Sequence, residues 1–403
     1  MLGTPPPAHD PKPHIRQLIE AMRQAGVLTD EAISAAFASV PRETFLPGIP
    51  LEEVYQDRAV ITKRDTTGAA TSSASQPTMM AEMMAQLALT PGMNILEIGA
   101  GTGYNAALMQ TLVGKTGRVT SLELDAEVAE QAEDNLYRAG VTGVSIVNTD
   151  AAAGYAPRAA YDRIVSTAAV WDIPPAWTRQ LKPRGRMVVP LQIHAAQVSA
   201  QLIPQPDGTF LSTHNIPCRF VLMRGSAAMP PLMRQVGSSP LTLWSLDNAD
   251  FDTASLSLLL SQDDEINHLS AAPSAEDIWA GLMQYTMLNA PPDVQLATYF
   301  IPDGQQAYGL DSGSGYAIFS PASACLIPYQ GGGEAYCFAG SDSFMTAQTL
   351  MDEWVSIGRP GADRLRVRLM HRSEQPPIVE RGRVYRRVDH DIHVWIEPIS
   401  GVN

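Results

Sequence analysis

Cysteine is nearly absent from the 403 residues: Cys218, Cys325 and Cys337 are odd in number and widely spaced. Such usage argues against a disulfide framework or a paired-cysteine zinc site, and for a reducing, cytoplasmic setting. Long apolar runs are missing too. No stretch of about eighteen apolar residues occurs, so no helix is expected to span a bilayer. The first residues, with Pro5-Pro6-Pro7 and His9-Asp10, lack the charged-then-apolar order of a secretion signal. Positive charge is scarce as well: 28 Lys and Arg face 42 Asp and Glu, leaving a net charge of −14. That balance disfavours nucleic acid as the main partner. Apolar residues make up 45% of the chain, ample for a core, and the length favours two domains.

What is present is concentrated at Asn94-Ile95-Leu96-Glu97-Ile98-Gly99-Ala100-Gly101-Thr102-Gly103. An apolar run ends on an acid, three glycines follow at alternate positions, and Tyr104 opens a helix-like stretch. Glycine costs order, so three together imply a sharp bend and a backbone that a ligand approaches closely. A nucleotide-type cofactor fits. The Lys-Ser/Thr ending of a P-loop is missing. Glu123 ends the next predicted strand, about twenty residues on, where an acid accepts ribose hydroxyl protons.

Residues 14–40 read as two helices, the first with Ile15, Leu18, Ile19 and Met22 on one face and Gly26 as its stop, the second capped by Thr29-Asp30. A Met-rich stripe (Met79, Met80, Met83, Met84 and Leu87) marks a helix over 78–89. Pro77 suits its first turn, so Ser75 and Gln76 lie at its mouth. Free amides and a hydroxyl there suit a carboxylate, although an ordinary Ser-rich cap has the same composition. Strands at 94–98, 119–123, 144–148, 161–166 and 186–190 alternate with helices at 104–113, 126–139 and 176–181. That order predicts a parallel sheet wrapped by helices, with an antiparallel edge at 197–203 and 210–223.

Taken together, the motifs resemble those of the protein L-isoaspartate O-methyltransferases, a family with a Rossmann-like class I methyltransferase fold. They are Pro41-Arg42-Glu43-x-Phe45-Leu46-Pro47, Tyr55-x-Asp57, Ser73-Ala74-Ser75-Gln76-Pro77, the Glu97–Gly103 loop, Asp162–Ala169, Ile173-Pro174, Gln180–Pro190 and Phe220-Val221-Leu222. The resemblance covers roughly residues 14–225. It implies an S-adenosyl-L-methionine site built from Glu97, Gly99, Ala100, Gly101, Thr102, Gly103, Glu123, Leu124, Asp150, Ala151 and Thr167. It also implies Ser75, helped by Ser73, as the group that orients the acceptor carboxylate, with Gln76, Ala168, Val170, Trp171, Val189 and Pro190 walling the substrate groove. No metal is expected. Three departures fall on the substrate side: Ala74 for an isoleucine, Val170-Trp171-Asp172 for a small-residue and proline stretch, and Gln192 for a glycine.

Beyond about Ser226 no family resemblance is found. A Met/Pro/Gly/Ser-rich linker (225–240) leads to strands expected at 241–246, 255–260, 294–300, 315–319, 324–328, 335–338, 364–370, 383–388 and 392–396. Helices are expected at 274–288 and 341–357. The division expected is 1–225 for a catalytic domain and 226–403 for an α+β domain that recognises a substrate peptide. From Arg359 to Arg387, nine arginines face three acids. They read either as a docking face for an acidic peptide or as a solvated strand face. His390-x-x-His393 is a poor metal pair, because those positions point to opposite faces of a strand. The altered groove and the added domain favour methylation of an aspartate in a ribosomally made peptide, leading to a succinimide. The alternatives are repair of isoaspartate in damaged proteins and, in a different class, a non-catalytic peptide-binding protein that keeps the cofactor site.

Overall fold

The computed structural model describes residues 10–66, 68, 70–194, 196–229, 233–244 and 252–398. The prolines at 5–7, His9 and the last two residues of the strand expected at 241–246 lie outside them. Two compact units are present: Met1–Pro190, Gln201–Pro204 and Phe220–Ala228 form one, and Leu191–Ala200, Gln205–Arg219 and Met229–Asn403 the other. The chain thus passes between the units several times.

In the first unit, the parallel strands lie in the order Val144–Asn148, Arg118–Glu123, Asn94–Ile98, Tyr161–Ser166 and Leu181–Ile193, the last of these continuing from Leu191 as part of the second unit. Asn94–Ile98 is buried at every position, as a central parallel strand covered on both faces must be. Helices Tyr104–Val113, Ala126–Arg138 and Pro175–Gln180 connect the strands, and the Asp125 side chain caps the second by accepting from Glu127 N and Val128 N. From Asn94–Ile98 the chain moves outward through two strands, then returns to the other side at Tyr161–Ser166. The carboxyl ends of those two neighbours form the switch point where open α/β sheets bind ligands.

Helices Lys12–Gln24 and Glu31–Ser39 form as expected, with Asp30 capping the second. Pro77–Leu87 buries Met80, Met83, Met84 and Leu87. One element the periodicity hides is a two-stranded arm, Val60–Arg64 against Ala70–Ala74, which places the Ser/Thr run on a strand.

In the second unit, seven antiparallel strands run Met233–Gln235, Thr242–Trp244, Gln295–Ile301, Gly313–Phe319, Ala324–Pro328, Glu334–Phe338 and Asp264–His268. Helix Asp342–Ser356 packs with the strands Gly313–Phe319, Ala324–Pro328 and Glu334–Phe338. A further antiparallel set joins Phe210–Pro217, Leu365–His371, His390–Ile396 and Arg383–Arg386. Four expectations need correcting. Residues 253–260 form a helix, not a strand, because Asp252 caps Ala254 N and Leu256 and Leu260 bury one helical face. Part of the supposed linker, Met233–Gln235, is a strand. The strand from Phe210 ends at Pro217, whose missing N–H breaks the ladder. Asp264–His268 is a strand too polar to announce itself.

The arginines are mostly half-buried and have local partners: Arg366 pairs with Glu397 at 2.8 Å and Arg386 with Asp391 at 3.2 Å, while Arg387 is buried and only Arg359, Arg372 and Arg381 among the nine are exposed. His390 is buried against His371, whereas His393 stacks on Trp395. Among the described residues no cluster of three potential metal ligands occurs.

Candidate active site

The glycine loop closes the switch point. Gly99, Gly101 and Gly103 all adopt left-handed φ (+91°, +52° and +84°), which side-chain-bearing residues rarely tolerate. A Cβ on Gly99 would lie 2.6 Å from Thr167 Oγ1, and one on Gly101 would lie 3.4 Å from the Ser73 carbonyl. Thr167 Oγ1 donates within reach of Ile98 O (3.0 Å) and Gly99 O (2.7 Å), pinning the bend to the next strand. Gly99 N and Ala100 N donate to Leu122 O, and Thr102 O accepts from Asn135 Nδ2 at 3.0 Å.

Glu97 is fully buried. It accepts from Asn105 Nδ2 at 2.7 Å and from Ser121 Oγ at 2.5 Å. Burial pushes its pKa up to about 7, against the pull of those two donors; the nearby Glu123 charge pushes it further up. Glu97 therefore braces the loop from beneath and has no face on the cleft. Glu123, 8% exposed, does line it. Its oxygens accept from Gly101 N (3.2 Å) and Asp125 N (3.1 Å), and its remaining lone pairs are available to a diol.

One cleft brings together Ser73, Gly99, Gly101, Glu123, Leu124, Ala151, Thr167 and Ala168. A narrow neighbouring cleft shares Ser73, Gly99, Gly101 and Thr167 with it and adds Ser75, Ala100 and Thr102. The structure thus gathers most of the expected cofactor residues and puts Ser75 beside them. Asp150 is at the edge, where Ala152 N (3.0 Å) and Ser226 N (2.7 Å) donate to its carboxylate. Burial works against ionisation there, but those bonds outweigh it and hold the pKa below the usual carboxylate range.

The groove needs one correction. Val170 and Val189 are fully buried and Pro190 is buried with them, so all three shape the wall from behind; Trp171 and Ala168 are half-buried. Val170 N donates to Pro190 O at 2.9 Å, and Ala169 exchanges backbone bonds with Val221 and Met223, which brings Val221–Arg224 to the cleft.

Two residues that hold Ser75 and Gln76 carried no functional signal in the sequence beyond their motifs. Arg42 is fully buried, donates to Ser75 O (3.0 Å) and Val54 O (2.9 Å), and lies 5.1 Å over the Tyr104 ring. Asp57 accepts from Gln76 Nε2 (2.9 Å), Thr78 N (2.8 Å) and Thr78 Oγ1 (2.7 Å), capping the helix from outside because Gln76 does not. Lys63 ties the arm down through Asp125 (2.8 Å) and Glu127 (2.7 Å).

These features fit a nucleoside-type methyl donor: bare backbone at the bend, an acid placed for the ribose, and an apolar-edged slot past Leu124. The family profile described as protein-L-isoaspartate(D-aspartate) O-methyltransferase matches residues 14–228. A protein-L-isoaspartate O-methyltransferase of Thermotoga maritima is 35% identical over 212 residues, covering 52% of this chain and 66% of its own length. One of Hyperthermus butylicus is 36% identical over 218 residues, covering 52% and 88%. A solved structure titled protein-L-isoaspartate O-methyltransferase aligns over 88% of this chain and 96% of its own, with a TM-score of 0.50 and 23% identity, a likeness of fold. The chain belongs to the protein-L-isoaspartate(D-aspartate) O-methyltransferase family, and is a carboxyl methyltransferase whose methyl donor is S-adenosyl-L-methionine.

Proposed function

We propose that the protein esterifies the free α-carboxylate of isoaspartyl residues in polypeptides. The observation that carries this reading is Ser75, held by Arg42 at the edge of the glycine-loop cleft, in a chain whose matched relatives bear that activity in their names. S-adenosylmethionine supplies an electrophilic methyl group on a sulfonium. A carboxylate with a pKa near 4 is ionised at neutral pH, so no general base is needed. The protein's own task is alignment and exclusion of water. Glu123 would hold the ribose, and the loop of Gly99 to Gly103 would cradle the methionine portion. Ser75, with Ser73 and Gln76 beside it, would orient the acceptor oxygen. The ester so formed is open to attack by the next backbone nitrogen, which forms the C–N bond of a succinimide as the ester C–O bond breaks and methanol leaves with the nitrogen's proton, without further catalysis.

The departures at Ala74, Val170–Asp172 and Gln192 lead the sequence reading to dedicated maturation of a ribosomal peptide. The relatives favour repair instead. The fold likeness extends well beyond residue 228, so the added unit is part of a fold seen in another chain. The division expected at 225 is replaced by the two compact units, of which we assign the first to methyl transfer and the second, which takes in Leu191–Ala200 and Gln205–Arg219, to engagement of the polypeptide. Mass spectrometry with the methyl donor and two otherwise identical peptides, one isoaspartyl and one aspartyl, tests the assignment. Methylation of the isoaspartyl peptide is expected; exclusive methylation of the aspartyl one would reinstate peptide maturation.

A further inference from the structure

The second unit contains a cavity of about 630 Å³ that shares no residue with the donor cleft. That volume lies in the range of sites that enclose small ligands or large side chains. Its walls are aromatic, formed by Trp279, Tyr299 and Tyr336. Tyr299 lies where only a glycine leaves room: a Cβ on Gly315, its cross-strand partner, would come 2.5 Å from the ring. Trp279 is carried on a π-helical turn, Ile278–Leu282, inserted into an otherwise α-helical run. Such turns are uncommon and concentrate at functional sites. Here the buried Gln284 side chain donates to the Trp279 carbonyl at 2.9 Å, which satisfies an acceptor in the widened turn.

The charges lining the cavity are unbalanced. Glu276 and Asp311 are exposed and Glu334 is half-buried, and among the described residues none of the three is in an ion pair. Asp311 accepts from the neutral Gln306 amide at 2.6 Å. Among the described residues the single cation lining the cavity is Arg219, whose guanidinium lies 5.5 Å from the Trp279 ring centroid. The cavity is therefore net negative, with aromatic faces whose quadrupole attracts cations, and the Arg219–Trp279 contact already displays that attraction within the chain. A net charge of −14 over the whole protein adds long-range pull on a basic partner.

We infer that this cavity is a binding site for a basic side chain, lysine or arginine, presented by a polypeptide segment. The aromatic walls enclose the aliphatic stem and the cationic head, and the three carboxylates neutralise the charge. The site would make the second unit a reader of basic residues, independent of which acid is methylated.

The test uses the full-length protein and three capped tripeptides, with lysine, arginine or glutamate between glycines, followed by titration calorimetry and tryptophan fluorescence. The lysine and arginine peptides should bind saturably, at least tenfold more tightly than the glutamate peptide, and more weakly as salt is raised. The triple variant Glu276→Gln, Asp311→Asn, Glu334→Gln changes side chains with little packing role, and should lose at least tenfold in affinity for the basic peptides. Trp279→Phe should weaken them less, and thermal unfolding of each variant checks the fold. A preference for the glutamate peptide would make Arg219 the anchor and overturn the inference. So would saturation by none of the three, or basic-peptide binding that the triple variant leaves unchanged.

Discussion

Replacing Glu97 with Gln should remove a pH-dependent cost that the native protein carries. Glu97 is fully buried, and its pKa is pushed up to about 7 from an ordinary value of 4.5. Between those pH values the folded protein holds a proton that the unfolded chain has released. Stability from this group is therefore complete below about pH 4.5, falls as pH rises, and reaches its floor above about 7. At about 1.4 kcal/mol for each pH unit, the loss across the window comes to about 3 kcal/mol. A glutamine keeps the geometry: its carbonyl accepts from Asn105 Nδ2, and its amide donates to Ser121 Oγ, which accepts in place of donating. The assay is urea unfolding of both proteins at several values from pH 4.5 to 8. All other titrating groups are common to the two, so the difference in unfolding free energy isolates Glu97. The variant should gain on the native protein by about 3 kcal/mol across that span, most steeply between pH 5 and 7. Parallel profiles would refute the reasoning, by showing that Glu97 is ionised throughout.

The other predictions bear on the site itself. Ser75→Ala should leave binding of S-adenosylhomocysteine unchanged by calorimetry while lowering the methyl-transfer rate by about 10–100-fold, the scale of one lost orienting bond. Glu123→Ala should do the reverse, weakening donor binding by about 10–100-fold, since bonds to a charged acceptor contribute about 1.5–3 kcal/mol. Arg42→Met strips the Ser75 and Val54 carbonyls of their donor; at about 1–3 kcal/mol for each unpaired buried group, thermal unfolding should shift down markedly, with transfer impaired more than donor binding.

The parallel core and its glycine loop were legible because two strong local signals coincide there: continuous apolar strands and glycines where φ must be positive. Glu123 was legible for the same reason, its place at a strand end being a matter of spacing. The arm Val60–Arg64 and Ala70–Ala74 escaped notice because its Thr/Ser-rich residues lack an apolar alternation, so pairing alone makes it a strand. Residues 253–260 misled for the opposite reason. A short leucine-rich run is ambiguous by periodicity, and the Asp252 cap was the discriminating sign. Arg42 and Asp57 act across 33 and 21 residues of chain, on Ser75 and Thr78, and no local pattern encodes such contacts. Val170 and Val189 show the limit of motif transfer: the motif predicted contact with substrate, while burial assigns both to the supporting layer.

The central claim is spatial, that the glycine bend holds a methyl donor beside Ser75, and the most direct measurement is a crystal structure with S-adenosylhomocysteine bound. The expected result has the ribose hydroxyls on Glu123, the homocysteine portion along Gly99 to Gly103, and the sulfur directed toward Ser75. A ligand bound elsewhere, or a sulfur facing away from Ser75, would contradict it.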